Sequence, residues 1–192
     1  MIDSRATPTA RSTAGESRMS GAAAGMKLLP LDSPERIALA GGWLSDPENA
    51  RWLDFGNGVQ AVTPVMLKVM TQREIHCLRL YTGDDGETLA GVVGLSNIDR
   101  HFKTASVWCV LGNKRQGGCS ARAVSKMLTI AFTELGMEAV SCWTLDINKG
   151  GRGVIDRLPF TFIGRLRQCH YIDGKPYDRL LFDMVASEHR EI

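Results

Sequence analysis

Residues 111–136 constrain the fold most, because an apolar strand there runs through a glycine-containing turn directly into a long amphipathic helix. In the helix the apolar residues recur at helical spacing, and Gly136 follows as a stop signal. Gly117 and Gly118 in the turn allow the backbone to approach a ligand without an intervening Cβ atom. The first N–H groups of a helix have no intrahelical partner, and the helix dipole adds partial positive charge there. The stretch therefore predicts a site for a phosphate or pyrophosphate group.

The rest of the patterned chain alternates between strand and helix signals. Two helices are predicted to begin at a capping residue followed by proline, at Ser33-Pro34 and Thr63-Pro64, and a short helix is predicted at about 151–158. Strands are predicted at about 26–31, 75–81, 88–96, 104–111, 139–147, 161–172 and 177–185. The order predicts an α/β fold, in which a mixed, mainly antiparallel sheet is flanked by helices and contains one parallel crossover.

Residues 1–25 differ in composition from the rest of the chain. They are rich in Ala, Ser, Thr and Gly with almost no large apolar side chain, so they cannot bury enough surface to offset their ordering entropy. We therefore predict a disordered N-terminal tail and a single domain over residues 26–192. No stretch reaches the length of a membrane span, and the tail lacks the apolar core of a signal peptide, which favours a cytoplasmic protein.

Charge and cysteine content argue against several classes of protein. The net charge is +2, with 23 basic and 21 acidic residues, which is too balanced for a general nucleic-acid-binding protein. The five cysteines are scattered, odd in number and without a Cys-x-x-Cys pair. The sequence therefore indicates neither a disulfide framework nor a metal site.

The turn itself has a recognisable spacing. Arg115-x-x-Gly118-x-Ser120 resembles the acyl-CoA signature of the GNAT superfamily of N-acyltransferases, whose usual form is Arg or Gln, two residues, Gly, one residue, then Gly or Ala. Ser120 is a small departure from that pattern. Asn148, twelve residues before Phe160, resembles the family's segment that runs from an Asn through a short helix to a Leu-Gly-Phe end.

The resemblance extends on both sides of the turn. The segment IGRLRQCHYIDGKPYDRLLFDM is similar to the final hairpin of the RimJ/RimL-like branch, and GVVGLSNID resembles the strand that precedes the acyl-CoA strand. Together the pieces cover roughly residues 27–185. The resemblance implies an acyl-CoA-dependent N-acyltransferase that moves an acetyl group from acetyl-CoA to a primary amine by direct transfer.

The resemblance also implies a donor site. The pyrophosphate of coenzyme A is expected at a turn made of Arg115, Gln116, Gly117, Gly118, Cys119 and Ser120. The backbone of Val110 and Leu111 is expected to pair with the pantetheine arm. Asn148 occupies the family position near the thioester, and a purely turn-forming role for it is equally open. A nucleophilic role for Cys119 is disfavoured, because direct transfer needs no protein thiol.

The catalytic acid and base are not evident from the motifs. Relatives often place a Glu at the position of Ala105 and a Ser at that of Gly151, and this chain has neither. The candidates are His101 as base, because its unperturbed pKa suits deprotonation of an ammonium group, and Tyr171 with His170 as acid, together with Asn148. An exposed turn position for His101 and a structural role for His76 are the competing interpretations.

The acceptor is open to several interpretations. Arg51, Arg73 and Arg100 with Trp52 favour a small, anionic acceptor such as a nucleotide-linked amino sugar, and protein N-terminal amines and antibiotic amines remain alternatives. An acyl carrier protein is an alternative donor, and a non-catalytic acyl-CoA-binding sensor or scaffold is a rival class of function. The resemblance is compatible with a monomer or a homodimer, and neither a nucleic acid nor a membrane is expected as partner.

Overall fold

The computed structural model describes residues 25–56 and 58–192. The strands are β1 Leu28–Pro30, β2 Cys77–Thr82, β3 Leu89–Asp99, β4 Thr104–Leu111, β5 Ala139–Leu145, β6 Thr161–Ile172 and β7 Lys175–Val185. The α-helices are α1 Pro34–Ser45, α2 Pro47–Ala50, α3 Pro64–Thr71, α4 Ser120–Thr129 and α5 Lys149–Ile155. The predicted tail lies, apart from Gly25, outside the described residues, so the division into a tail and one domain stays a prediction.

Three helices begin with the same sequence signal. Ser33, Asp46 and Thr63 each accept a hydrogen bond from a backbone N–H group of the first turn, and each is followed by a proline. Proline suits this position because its missing N–H group would have no partner there and its φ angle is already helical. The signal predicted α1 and α3 correctly. The same signal occurs at Asp46-Pro47, where it starts α2, a short helix that was not predicted.

The strands form one seven-stranded sheet in the order β1-β2-β3-β4-β5-β7-β6. All neighbours are antiparallel except β4 and β5, which are parallel and pair only from Thr104 to Ser106 with Ala139 to Ser141. Beyond Ser106 the two strands diverge, so the sheet is open on one side of β4 and one side of β5. This confirms the predicted mixed sheet with one parallel crossover.

Two hydrophobic clusters cover opposite faces of the sheet. One joins α1 and α3 to the β2–β4 side chains Leu78, Leu80, Val92 and Val110. The other packs α4 and α5 against Val93, Leu95 and their neighbours on the opposite face. Alternate side chains of a strand point to opposite faces, which explains why Val92 and Val93 belong to different clusters. Because β4 and β5 separate after Ser106, the gap between them connects the two faces of the sheet.

The helix after the glycine turn is shorter than its sequence pattern predicts. Regular α-helical bonding ends at Thr129, and residues Ile130–Glu134 continue as a π-helix before Gly136 reverses the chain with φ +69°. The predicted stop signal is therefore correct, although the bonding pattern changes one turn earlier. Within the described residues, none of the helices has both the length and the apolar character needed to cross a bilayer.

Candidate active site

A cavity of about 680 Å³ occupies the gap between the diverging strands. Its walls come from residues 106–111 of β4 and 142–144 of β5. On one face it is lined by the start of α4 and by α5, and on the other by the chain from Glu48 to Gly56. Because the helices of the two faces both contribute, the cavity passes through the sheet and has two ends, which we call the donor end (the α4 and α5 side) and the acceptor end (the Glu48–Gly56 side).

Backbone groups form much of the donor end. Gly118 has φ +94° and nothing within 4 Å of where a Cβ atom would lie. Among the described residues, Ala123 is the first of α4 whose N–H group reaches a backbone carbonyl, that of Cys119 at 3.1 Å. The N–H groups before it remain available at the positive end of the helix dipole. This arrangement suits a phosphate or pyrophosphate group.

The side chains of the turn point away from that end. Ser120 Oγ lies 2.9 Å from the buried Tyr81 Oη, and the Cys119 thiol donates to the Gln116 carbonyl at 2.8 Å. Gln116 Oε1 would be 2.1 Å from a Cβ atom at Gly83, so this side chain fills space beside the β2–β3 turn. The side chains of these residues hold the turn in place, while its backbone faces the cavity.

Backbone direction alternates along the free edge of β4. Tyr81 Oη donates to the Val110 carbonyl at 3.2 Å, which places that carbonyl on the β3 side. Lys114 Nζ donates to the Leu111 carbonyl at 2.9 Å, and Ser141 Oγ donates to the Ala105 carbonyl at 3.4 Å, both on the opposite side. By this alternation the groups that face the gap belong to Leu111 and Cys109, whereas Val110 is bonded within the sheet.

Thr144 on β5 carries a hydroxyl group without a partner. The residue is 4% exposed, lines the cavity, and its Oγ1 has no hydrogen-bond partner among the described residues. A Cβ atom at Gly151 of α5 would lie 2.5 Å from this oxygen and 3.0 Å from Asn148 Nδ2. The missing side chain at Gly151 therefore leaves room for the hydroxyl. Asn148 Oδ1 accepts the Gly151 N–H at 2.9 Å and caps α5.

Basic side chains accompany the donor end. Arg157 and Lys149 line the cavity from the α5 side, and Arg157 Nη1 lies 3.4 Å from the Gly118 carbonyl oxygen. Arg115 is exposed beside the turn, while Arg122 is paired with Asp84. Arg157 is a residue that sequence reasoning missed, because it is distant along the chain and only the packing of α5 on α4 brings it to Gly118.

The acceptor end is built from side chains. Trp52, Phe55, Trp108 and Trp143 line it, and the rings of Phe55 and Trp108 meet edge to face at 5.0 Å. Behind them Arg179 Nη2 donates to Asp54 Oδ2 at 2.6 Å and to His170 Nδ1 at 2.9 Å, with its guanidinium 4.0 Å from the Trp143 ring centre. We call Asp54, His170 and Arg179 the Arg179 network.

The Arg179 network fixes the protonation of its members. Arginine can only donate, so Nδ1 of His170 is an acceptor and the proton resides on Nε2, which donates to the Arg51 carbonyl at 2.9 Å. Burial lowers the pKa of His170, in agreement with a neutral ring. Burial would raise the pKa of Asp54, but the hydrogen bonds from Arg179, Gly56 and Gly58 and the Arg179 charge outweigh it, so this pKa is below its ordinary value.

The structure brings together some predicted residues and separates others. Val110, Leu111, Gly118, Ser120 and Asn148 line the cavity. The remaining predicted site residues lie outside its lining: Arg115, Gln116, Gly117, Cys119, His101, His170 and Tyr171. Two of the predicted acid–base candidates lie on the surface, His101 in the exposed turn after β3 and Tyr171, 60% exposed, on β6.

His76 lines the cavity, although the sequence favoured a structural role for it. Its Nδ1 is buried and has no hydrogen-bond partner among the described residues. Burial and the nearby Arg73 charge lower the pKa of His76, so the ring is neutral near pH 7. His76 lies just before β2, and the spacing of apolar residues there does not distinguish a residue that lines a cavity from one that packs in the core.

Two solved structures share this fold. A spermidine N-acetyltransferase from Vibrio cholerae, solved with CoA and spermine, superposes with a TM-score of 0.72 and 15% identity over 85% of this chain and 97% of that one. RimJ of Mycobacterium smegmatis, solved with CoA-disulfide, superposes with a TM-score of 0.69 and 19% identity, over 86% of this chain and 85% of that one.

Sequence comparison identifies the family. A sequence model of the GNAT acetyltransferase domain matches residues 26–161, which is more than half of the chain. YdaF of Bacillus subtilis (strain 168), by its name a candidate ribosomal N-acetyltransferase, is 27% identical over 110 residues, 57% of this chain and 58% of YdaF. The match thus spans less than two thirds of that relative. The chain belongs to the GNAT acetyltransferase family, as the resemblance predicted.

Proposed function

We propose that the protein transfers an acetyl group from acetyl-CoA to the primary amine of a small molecule in one direct step. The observation that carries this proposal is the cavity through the sheet, with free backbone N–H groups and basic side chains at one end and aromatic side chains at the other. A donor and an acceptor that enter from opposite faces can meet between β4 and β5.

The residues at the donor end fit acetyl-CoA. The N–H groups at the start of α4 and the nearby Arg157 would hold the pyrophosphate. The gap-facing backbone of Leu111 and Cys109 would pair with the pantetheine arm, as an additional strand pairs with a sheet edge. When bound, the donor supplies the activated acetyl group as a thioester. The protein aligns the two reactants, and this alignment alone lowers the activation free energy by several kcal/mol.

The acceptor amine must lose its proton before it attacks. We assign the proton acceptor role to His76, because it lines the cavity and its lowered pKa keeps the ring neutral at pH 7. A His76→Gln variant is expected to lose about 100-fold in kcat/KM, the lower range for a general base. It should also lose the acidic limb of the pH profile, in which the wild-type rate falls as pH drops through the pKa of His76. His101→Gln serves as the matched control and should retain the wild-type profile; an unchanged His76→Gln profile would remove His76 from this role.

The charged side chains that line the acceptor end indicate which kind of amine the protein accepts. Arg51, Arg73 and Arg100, on which the preference for an anionic amino sugar depended, do not line it, and Arg51 is bonded to Asp173 at 2.9 Å. Glu48 and Asp54 line this end, and each is paired with an arginine, Glu48 with Arg51 at 3.4 Å and Asp54 with Arg179 at 2.6 Å. Because both arginines are already paired with carboxylates of the protein, the acceptor end favours a small amine without an anionic group. The polyamine bound in the Vibrio cholerae structure is an example of such a compound.

The first test is binding of acetyl-CoA by calorimetry, with release of free thiol measured against polyamines, amino sugars, amine antibiotics and N-terminal peptides. Binding with thiol release on a small amine is the expected result. Binding without turnover on any acceptor would favour the non-catalytic acyl-CoA-binding module instead. Absence of binding would overturn the proposal and favour a carrier-protein donor.

A variant of the turn tests the donor end directly. Gly118→Glu adds a side chain at φ +94° and a negative charge beside the expected pyrophosphate, so acetyl-CoA affinity should fall by about 100-fold. Gly174→Glu is the matched control, because Gly174 has φ +76° in the open turn between β6 and β7. The control carries the same backbone strain away from the cavity. Equal affinity in the two variants would contradict the location of the donor site.

A further inference from the structure

The hydroxyl of Thr144 is one of the buried side-chain polar groups that have no hydrogen-bond partner among the described residues. It lies on β5 beyond the point where β5 separates from β4, and the opposite residue on β7 is Leu180, which belongs to the α4–α5 cluster. Thr144 therefore points to the donor face of the sheet. Two neighbouring oxygens have partners of their own: Asn148 Oδ1 caps α5, and Ser141 Oγ bonds to Ser106 Oγ at 3.0 Å.

A buried hydroxyl without a partner costs folding free energy, so a ligand that satisfies it explains why it is present. We infer that Thr144 Oγ1 donates a hydrogen bond to the arm of bound acetyl-CoA near the thioester, an inference that rests on the proposed function. Thr144 is 4% exposed and lines the cavity at the gap between β4 and β5, through which the arm would pass.

The glycine at position 151 of α5 leaves space that the hydroxyl of Thr144 on β5 occupies. Relatives often have a serine at the position of Gly151, as the family resemblance implies, and a Cβ atom there would lie 2.5 Å from Thr144 Oγ1. That distance is too short for both groups to be present. The hydroxyl missing from α5 is therefore supplied in nearly the same space by β5, across the interface between strand and helix.

The test compares Thr144→Val with the wild-type chain by calorimetry. Valine keeps the branched shape and removes the hydroxyl, so the Kd for acetyl-CoA should rise about tenfold, as expected for one lost buried hydrogen bond. The Kd for adenosine 3′,5′-bisphosphate, which lacks the arm, should stay the same. Thermal stability should be equal or higher, because an unpartnered polar group has been removed. Thr161→Val on the exposed strand β6 is the matched control and should change neither affinity.

Two more variants separate hydrogen bonding from packing. Thr144→Ser keeps the hydroxyl without the methyl group and should retain wild-type affinity. Thr144→Ala weakens binding, and adding Gly151→Ser to it restores a hydroxyl from the helix, so the double variant should regain affinity. Thr144→Ser binding as weakly as Thr144→Val would overturn the inference, as would a double variant no better than Thr144→Ala.

The result also distinguishes the two proposals. Wild-type binding with an unchanged Thr144→Val affinity would reject the role of Thr144 and leave the acetyltransferase proposal standing. A wild-type chain that does not bind acetyl-CoA rejects both. A Thr144→Val chain that is less stable than wild type without ligand would show that the hydroxyl has a structural partner, which also overturns the inference.

Discussion

The two ends of the cavity are made in different ways. At the donor end the contacts come from backbone N–H groups, and the positions that matter are glycines, Gly118 with its positive φ and Gly151 beneath Thr144. At the acceptor end the shape depends on a partly buried ion pair, Arg179 and Asp54, whose side chains are 17% and 15% exposed. The donor end should therefore be sensitive to added atoms and the acceptor end to removed ones.

The largest effect is expected from Arg179→Met. The substitution leaves the Asp54 carboxylate without its cation in a nearly buried position, so the free energy of unfolding should fall by about 3 kcal/mol. The KM for the acceptor should rise while the Kd for acetyl-CoA is unchanged, because Trp143 and the Asp54 loop belong to one end only. Urea denaturation and separate kinetic constants measure the two effects.

Arg165→Met is the control for that variant. Arg165 pairs with Asp178 on the exposed face of the β6–β7 hairpin and is itself 52% exposed. Its loss should cost about 0.5 kcal/mol, as is usual for surface ion pairs. Equal destabilisation by both substitutions would show that the Arg179 network stabilises the fold no more than an exposed ion pair does.

A smaller effect is expected at the donor end from Gly151→Ala. The added methyl group would be 2.5 Å from Thr144 Oγ1, so we expect a loss of about 2 kcal/mol in the free energy of unfolding from overpacking. Gly153→Ala, in the same helix with nothing within 4 Å, should instead gain about 0.5 kcal/mol. Thermal denaturation compares them. A stabilised Gly151→Ala variant would contradict the tight fit between α5 and β5.

Protonation of His170 should change the free energy of unfolding less than the loss of the Arg179–Asp54 pair does. The pKa of His170 is below its ordinary value of 6.5 in the folded state, so the unfolded chain binds more protons between the two values. The stabilisation is complete above pH 6.5 and is lost as pH falls through the folded pKa. His170→Gln should make this decline shallower, although His76 and His189, whose pKa values are also lowered, keep part of it. A decline of equal slope in the variant would contradict the neutral ring.

The smallest effect is expected from Cys119→Ala. The thiol is buried and donates to the Gln116 carbonyl, and burial raises its pKa, so it is not a thiolate at neutral pH. The turnover rate should stay within about twofold of wild type, since direct transfer uses no protein thiol. Detection of acetyl-Cys119 after single turnover would establish a covalent route and refute this prediction.

The sequence was informative wherever the signal is local. The strand, glycine turn and helix at residues 111–136 place the donor end, because hydrogen bonds between neighbours along the chain determine that unit. The proline caps of α1 and α3 and the final hairpin, whose turn at Asp173-Gly174 has φ +51° and +76°, are also local and were predicted. The candidates that depended on side chains meeting across the fold, His101 and Tyr171, were placed outside the cavity.

By itself, then, the sequence determined the family resemblance, the mixed sheet and the backbone of the donor turn, all of which depend on periodicity and on the conformations that glycine and proline permit. The tertiary structure alone decided which side chains share the cavity. Arg179 and Asp54 are 125 residues apart, and Thr144 meets Gly151 only because α5 folds back onto β5. Such contacts depend on how strands and helices pack, and that packing has no signature in the spacing of residues along the chain.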